Sequence, residues 1–463
     1  MTKKHLIPFL LLPFFAVPVA QAEVDLISIG EVNANFQDMS TKTADSLESG
    51  VAGNILGGVG SGLAYAGGNR FIAIPDRGPN ANPYNPLVDD TTSFINRFQT
   101  FNLALAANPG YDPSDTGSLP YILSPFLVDT TLLFSPSRLT YAADGVPALN
   151  KRGYNYFTGR SDNFDVSRNS TSARNGRLDP EGVRVSNNGK YVFISDEYGP
   201  YVYQFDRNTG RRIKTFNLPG YFAVTHPSSQ EAVELANNTI GRTTNKGMEG
   251  LAITPDGSTL VGIMQTELRQ DTKKYVRIVT IDIDSGTTRE YAYLLTTGSG
   301  VSEIAAISNT EFLVLERDGK GLGDDSSAKV KQLFKIDLAD ATDISGVASI
   351  GATTPIVSKT LFLDVVSALT EIGTNPNDIP AKIESVAFGP DITIGGVTKH
   401  TLFLANDNDF LATVMDTKHP TGIANPNRFF VFSVDSSDLP DYVPQAITTV
   451  AHDHDHDDHH GHE

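Results

Sequence analysis

Ten carboxylates recur at two kinds of position in this chain, in a pattern that suits cation binding. Glu181, Glu249, Glu303 and Glu384 each open a short apolar run: Glu181-Gly182-Val183-Arg184-Val185, Glu249-Gly250-Leu251-Ala252-Ile253, Glu303-Ile304-Ala305-Ala306-Ile307 and Glu384-Ser385-Val386-Ala387-Phe388. After a turn, a second apolar run closes each copy on a polar cluster: Asp196-Glu197-Tyr198-Gly199, Gln265-Thr266-Glu267, Glu316-Arg317-Asp318-Gly319 and Asn406-Asp407-Asn408-Asp409. A further copy opens on Ser61 and closes on Asp76-Arg77-Gly78. Two antiparallel strands joined by a turn return to the same edge of a sheet, so the opening and closing acids of one copy share a side.

Calcium takes several carboxylate or carbonyl oxygens. Glu181, Glu249, Glu303 and Glu384, with Asp76, Asp196, Glu197, Glu316, Asp407 and Asp409, offer them in excess. Arg77, Lys246, Arg317 and Lys382 stand beside these acids. Acids that hold a cation, next to Arg and Lys, suit a small anionic phosphate ester. The cation bridges phosphate oxygens and acidifies water, and the basic groups neutralise developing charge. The plainer alternative is that the four bases pair with the acids and tie the repeats together. Other chemistries are poorly served. The body of the chain outside its two ends has three histidines, His226, His400 and His419, and there is no Gly-x-Ser-x-Gly, Walker or His-Glu-x-x-His motif.

The elements that position these acids follow from the repeat. From Glu181 the pattern is strand, Asn188-Gly189 turn, strand, then Tyr201–Asp206, a turn at Asn208-Thr209-Gly210, and Arg212–Leu218. Four short strands in about 40 residues are the content of one propeller blade. The next unit repeats it around Pro255-Asp256-Gly257, Val276–Ile283, Ser285-Gly286 and Thr288–Leu295. The fifth unit lacks a last strand, and the N-terminal run Val24–Val32 can supply it and close the ring. The expected fold is therefore all-β, a β-propeller of five to seven blades with six the best fit. A long insertion, residues 79–178, lies in the first unit and hides the sixth blade. One short helix is expected within 364–381.

Composition sets the compartment. The chain has 463 residues, no cysteine and no tryptophan. Disulfides, thiolate chemistry and Cys-ligated metal centres are excluded. Residues 1–22 read as an export signal: Lys3-Lys4, an apolar stretch, then Ala20-Gln21-Ala22. The net charge of −18 becomes −20 once Lys3 and Lys4 are removed. That argues against nucleic acid and anionic membrane surfaces as partners. No other stretch reaches membrane-spanning length, so a periplasmic or secreted protein is expected, with its propeller over 23–445. No signal points to a protein partner. Residues 446–463 form an expected disordered tail in which His452, His454, His456, His459, His460 and His462 interleave with Asp. Such tracts bind Zn²⁺ or Ni²⁺.

Several stretches together resemble a known family, the bacterial phytase-like proteins described by "esterase-like activity of phytase". They are Asp76-Arg77-Gly78-Pro79-Asn80, Asp179-Pro180-Glu181-Gly182-Val183, Ser195-Asp196-Glu197-Tyr198-Gly199, Asn245-Lys246-Gly247-Met248-Glu249-Gly250-Leu251, Leu313-Val314-Leu315-Glu316-Arg317-Asp318 and Lys382-Ile383-Glu384-Ser385-Val386. The likeness runs from about Ile27 to Val434, and the His/Asp tail lies outside it. It implies an exported β-propeller and phosphomonoester hydrolysis with phytate as the named substrate. Two rival functions stay open: a non-catalytic propeller that binds metal or anions, and a calcium-dependent lactonase or carboxylesterase.

Overall fold

Alternating and continuous apolar runs become strands wherever Gly- or Asn-containing turns separate them, and the strands assemble into twisted four-stranded sheets. The structure is a computed structural model that describes residues 23–79 and 84–448. The export-signal reading of 1–22 and the His/Asp segment beyond 448 lie outside the described residues.

Five blades form. Blade 1 is Gly62–Tyr65, Arg70–Ile74, Arg97–Ala107 and Tyr121–Leu132; blade 2 is Pro180–Val185, Tyr191–Asp196, Tyr201–Asp206 and Arg212–Asn217. Blade 3 is Met248–Ile253, Thr259–Met264, Tyr275–Asp282 and Thr288–Leu294; blade 4 is Gly300–Ala306, Glu311–Arg317, Lys331–Asp337 and Lys359–Asp364. Blade 5 is Ile383–Phe388, Val397–Asn406 and Asn427–Asp435, completed by the N-terminal strand Val24–Val32, with a short fifth strand, Ile392–Ile394, paired to the start of Val397–Asn406. That strand pairs antiparallel with Asn427–Asp435, from Val24 opposite Val434 to Val32 opposite Asn427, and so joins the two ends of the ring. Closure removes the open sheet edge that both strands would otherwise present.

Six blades are not formed among the described residues. The insertion instead completes blade 1 with its two long outer strands. The rest of it, to residue 178, adds a two-stranded ribbon (Phe134–Ser135 with Asn155–Tyr156) and loops held by polar side chains. Those loops are too rich in Asn, Pro, Gly and Arg to make further strands. The short helix expected within 364–381 is Val365–Glu371, capped by Asp364, and a second helix, Glu231–Asn237, precedes blade 3.

The first strands of neighbouring blades pack in order around the axis. They are buried on both faces, as Pro180–Val185 and Met248–Ile253 are throughout, whereas outer strands such as Arg212–Asn217 alternate. Small residues let the inner strands approach. A Cβ at Gly62 would lie 2.2 Å from the Glu181 carbonyl oxygen, and one at Gly250 would lie 2.7 Å from the Ile304 nitrogen. In blades 1 to 3 the glycine after the opening residue, Gly62, Gly182 or Gly250, is therefore a packing requirement of the next blade, and blades 4 and 5 carry Ile304 and Ser385 there. Apolar cores fill the gaps between blades.

Candidate functional site

Each inner strand starts at one end of the axis, and its partner strand ends there. Repeated acids therefore gather at one mouth, around a cavity of about 250 Å³. Asp76, Glu181, Glu197, Glu249, Glu384 and Asp407 line it, and so do Arg77, Lys246, Arg317 and Lys382. Four further polar residues join them: Asp179, Asn245, Gln265 and Ser299.

A register irregularity aims the opening acids inward. The pairing of blade 3 passes from Met248 to Gly250 and leaves Glu249 unpaired; blade 5 passes from Ile383 to Ser385 and leaves Glu384 unpaired. In blade 2 the pairing skips Glu181 and Gly182. Such bulges re-aim a side chain and recur beside functional sites.

Blade 4 breaks the pattern. There the skipped residue is Ser302, and Glu303 pairs opposite Leu315. A slip of one residue turns a side chain to the other face. Glu303 is accordingly outside the cavity lining, deeper on the axis, where its Oε1 accepts from the Leu251 and Ile304 amides at 3.1 and 2.9 Å. It sits 3.2 Å from the Arg184 guanidinium, and burial pushes its carboxyl up to about 7.

Three other expected ligands also stand outside the lining. Asp196 accepts from the Asp179 and Tyr198 amides at 3.1 and 3.0 Å and so fixes the turn that carries Asp179. Glu316 accepts from Tyr293, Thr297 and Lys359 and ties blades 3 and 4 together. Asp409 pairs with Lys382, which also holds Asp407 at 2.9 Å. Glu316 has both carboxylate oxygens engaged by protein donors, whereas the bonds to Asp196 and Asp409 fall on Oδ1 alone.

The remaining acids are crowded. Asp179, Glu181 and Glu197 each offer an oxygen within 4.8 Å of the others, and all three are buried. Beside them Glu249 takes a 2.6 Å bond from Gln265 on Oε1, while its Oε2 is buried and has no partner among the described residues. Burial, and then the charge of Glu249, raises the Glu181 carboxyl well above its ordinary range. Burial, then Glu197 and Glu384, does the same to Glu249; burial, then Asp407, does the same to Asp76. Burial pushes Asp179 up to about 7 against the pull of Arg77. Buried like charges at this density hold protons until positive charge compensates them.

The basic residues divide into two kinds. Arg77 lies 3.4 Å from Asp179 and also bonds Asn245, whose backbone takes a left-handed φ of +52°. Arg317 pairs with Glu384 and approaches Glu249 at 3.8 Å. Lys382 is committed to Asp407 and Asp409. Lys246 lines the cavity with no ion pair among the described residues.

Deeper on the axis, one side chain bridges the inner strands. The buried Arg184 guanidinium donates to the carbonyls of Leu63 (2.8 Å), Ile304 (2.7 Å) and Val386 (3.2 Å), in blades 1, 4 and 5. At the opposite mouth, Tyr442 to Gln445 line a second cavity of about 230 Å³. Gln445 bonds the Val185 carbonyl and Asn187, and Thr448 donates to the Asn187 carbonyl, so residues 446–448 remain attached to the propeller.

A closed ring of five blades with one carboxylate-lined axial mouth defines the class. Within it, the family described as "Phytase-like: Esterase-like activity of phytase" matches residues 54–410, and the chain belongs to that family. An Arthroderma benhamiae relative, described as an uncharacterized secreted protein, is 30% identical over 320 residues, covering 58% of this chain and 60% of its own length. Among solved structures, a Bacteroides fragilis protein assigned provisionally as a 6-phosphogluconolactonase aligns over 90% of this chain and 99% of its own, at 11% identity and a TM-score of 0.31. Kuenenia stuttgartiensis hydrazine synthase aligns over 82% of this chain and 87% of its own, at 8% identity and a TM-score of 0.28. At such scores neither likeness carries an argument about function. No helix among the described residues is long and apolar enough to cross a membrane.

Proposed function

We propose that this protein is an exported, divalent-cation-dependent phosphoric ester hydrolase acting at the axial mouth, with small phosphate monoesters of the phytate kind as substrates. The observation that carries the reading is the buried Asp179–Glu181–Glu197 cluster beside the unpartnered Glu249 Oε2. These oxygens match the hard, anionic donor set that calcium takes. Asp179, Glu181, Glu197 and Glu249 would hold the cation, with Asp76, Glu384 and Asp407 adding negative charge around it. When bound, the cation would supply positive charge to a phosphoryl oxygen and acidify water.

The chain's own residues do the rest. Lys246, with no ion pair among the described residues, binds the ester's phosphate. Arg77 and Arg317, held by Asp179 and Glu384, present fixed positive charge to the transferring group. Arg184 lies deeper on the axis, beside Glu303, and lines the cavity of the opposite mouth. Export rests on residues 1–22, and the secreted description of the A. benhamiae relative agrees with it.

Glu249→Gln tests the assignment. It should lower phosphate release by 10²-fold or more, on the order of what losing one preorganised charge-stabilising group costs. It should also reduce the calcium-dependent rise in melting temperature. Unchanged turnover and unchanged calcium stabilisation would remove Glu249 from the site.

A further inference from the structure

Although the protein carries a net charge of −18, one groove is positive throughout. Residues 136–174 run from the last strand of blade 1 toward the first of blade 2 and form an open groove of about 790 Å³. Arg138, Lys151, Arg152 and Arg174 line it, all exposed, and no acid does. None of the four has an ion-pair partner among the described residues. The nearby Arg160 and Arg168 differ, being engaged by Asp144, Asp162 and Asp165. Four uncompensated cations around one concave surface make a local anion-attracting field.

The path of the chain supplies the occupant. Gln445 and Thr448 are bonded beneath blade 2, and Ile447 packs against the core between blades 1 and 2. Tyr141 of the groove packs against that same core. The chain therefore reaches its C-terminal segment from the two blades that carry the groove. That segment holds Asp453, Asp455, Asp457, Asp458 and Glu463 with no Lys or Arg. Residues 449–463 reach up to about 50 Å when extended. A blade of four strands is only about 15–20 Å broad.

We infer that the His/Asp segment 451–463 docks in cis in the groove formed by Arg138, Lys151, Arg152 and Arg174. Each exposed ion pair is weak. The short tether, however, gives the segment an effective concentration in the millimolar range, so weak pairing suffices. The attraction is between the segment's acids and the groove's Arg and Lys, so salt screens it. The docked state is therefore one of low salt.

The absence of cysteine makes site-specific labelling direct. Spin labels on the full-length double variant Val146→Cys/Gly461→Cys report the distance from groove to segment; Val146 is 55% exposed, so its label disturbs little packing. At pH 8 and low salt a short-distance population is expected. It should fall at least twofold in 1 M NaCl, where the Debye length shrinks to about 3 Å. It should fall likewise when Lys151→Glu and Arg152→Glu are added. A distribution indifferent to salt and to the charge reversal would overturn the inference, and the salt arm needs no change to the groove itself.

Discussion

Replacing Arg184 by Met should destabilise the propeller more than any other single substitution along its axis. The guanidinium satisfies carbonyls of three other inner strands and faces the fully buried Glu303 at 3.2 Å. Removing one partner of a buried ion pair leaves the other uncompensated and costs about 3–5 kcal/mol. Unfolding entropy of about 2.1 cal/mol/K per residue, over roughly 420 residues, sums to about 0.9 kcal/mol/K, so the melting temperature should drop by about 3–6 °C. The pH dependence separates this cause from lost packing. Glu303 is already raised to about 7 from 4.5 in the folded protein. The folded state thus binds its proton more tightly than the unfolded state, and stability falls as pH rises from about 4.5 to about 7. Without Arg184 that carboxyl rises further and the penalty extends above pH 7. The deficit of Arg184→Met should therefore be largest at pH 8 and shrink at pH 5. Adding Glu303→Gln should recover part of it at pH 8. Calorimetric melting of the parent, both single variants and the double variant at the two pH values makes the test. A drop below about 1 °C at pH 8, or strictly additive effects, would refute the axial-bridge account.

The site itself yields three shorter expectations. Asp76, Glu181 and Glu249 are raised well above their ordinary range by burial, and Asp179 and Asp407 to about 7. Metal-free protein should therefore lose stability as pH climbs from about 4 to above 7, and calcium should raise the melting temperature more at pH 8 than at pH 5, as differential scanning fluorimetry can read. Lys246→Met should raise KM for a phosphate ester tenfold or more while leaving the melting temperature within about 1 °C, since no carboxylate depends on it. His419, 2.8 Å from Asp378 and 2.9 Å from Asp416, has its pKa raised first by its hydrogen bond to Asp378. Its clamp on the ribbon Thr413–Val414/Ile423–Ala424 should be full below about pH 6.5 and weaken as pH rises through the raised value. Hydrogen exchange in 411–424 should accelerate over that interval in the parent but not in His419→Gln.

Much of the architecture could be read from residue order. Val24–Val32 was legible as the closing strand because the fifth unit ended one strand short, and ring closure needs that strand. The opening and closing acids were legible as one face because a hairpin returns its ends to one edge. Blade number was less so, because the outer strands of blade 1 are interrupted by long polar loops that mimic an inserted unit. Glu303 looks equivalent to Glu249 along the chain, yet the bulge falls on Ser302, and bulge position depends on pairing with the neighbouring strand rather than on local composition. Arg184 carried no signal in the sequence, because its role depends on an inner strand buried on both faces. Asp179 lies in the Asp179-Pro180-Glu181 stretch that carries the family resemblance. Before a proline it reads as a turn residue, and only the fold brings it to Glu181 and Glu197.

The most direct test is phosphate release from phytate and p-nitrophenyl phosphate by the chain starting at Glu23, with calcium and then with a chelator in excess. Calcium-dependent release, abolished by chelation and reduced by Asp179→Asn, is what a catalytic cation at the axial mouth predicts. Absence of release in either condition, with calcium still raising the melting temperature, would contradict the hydrolase and leave the carboxylate cluster as a binding site.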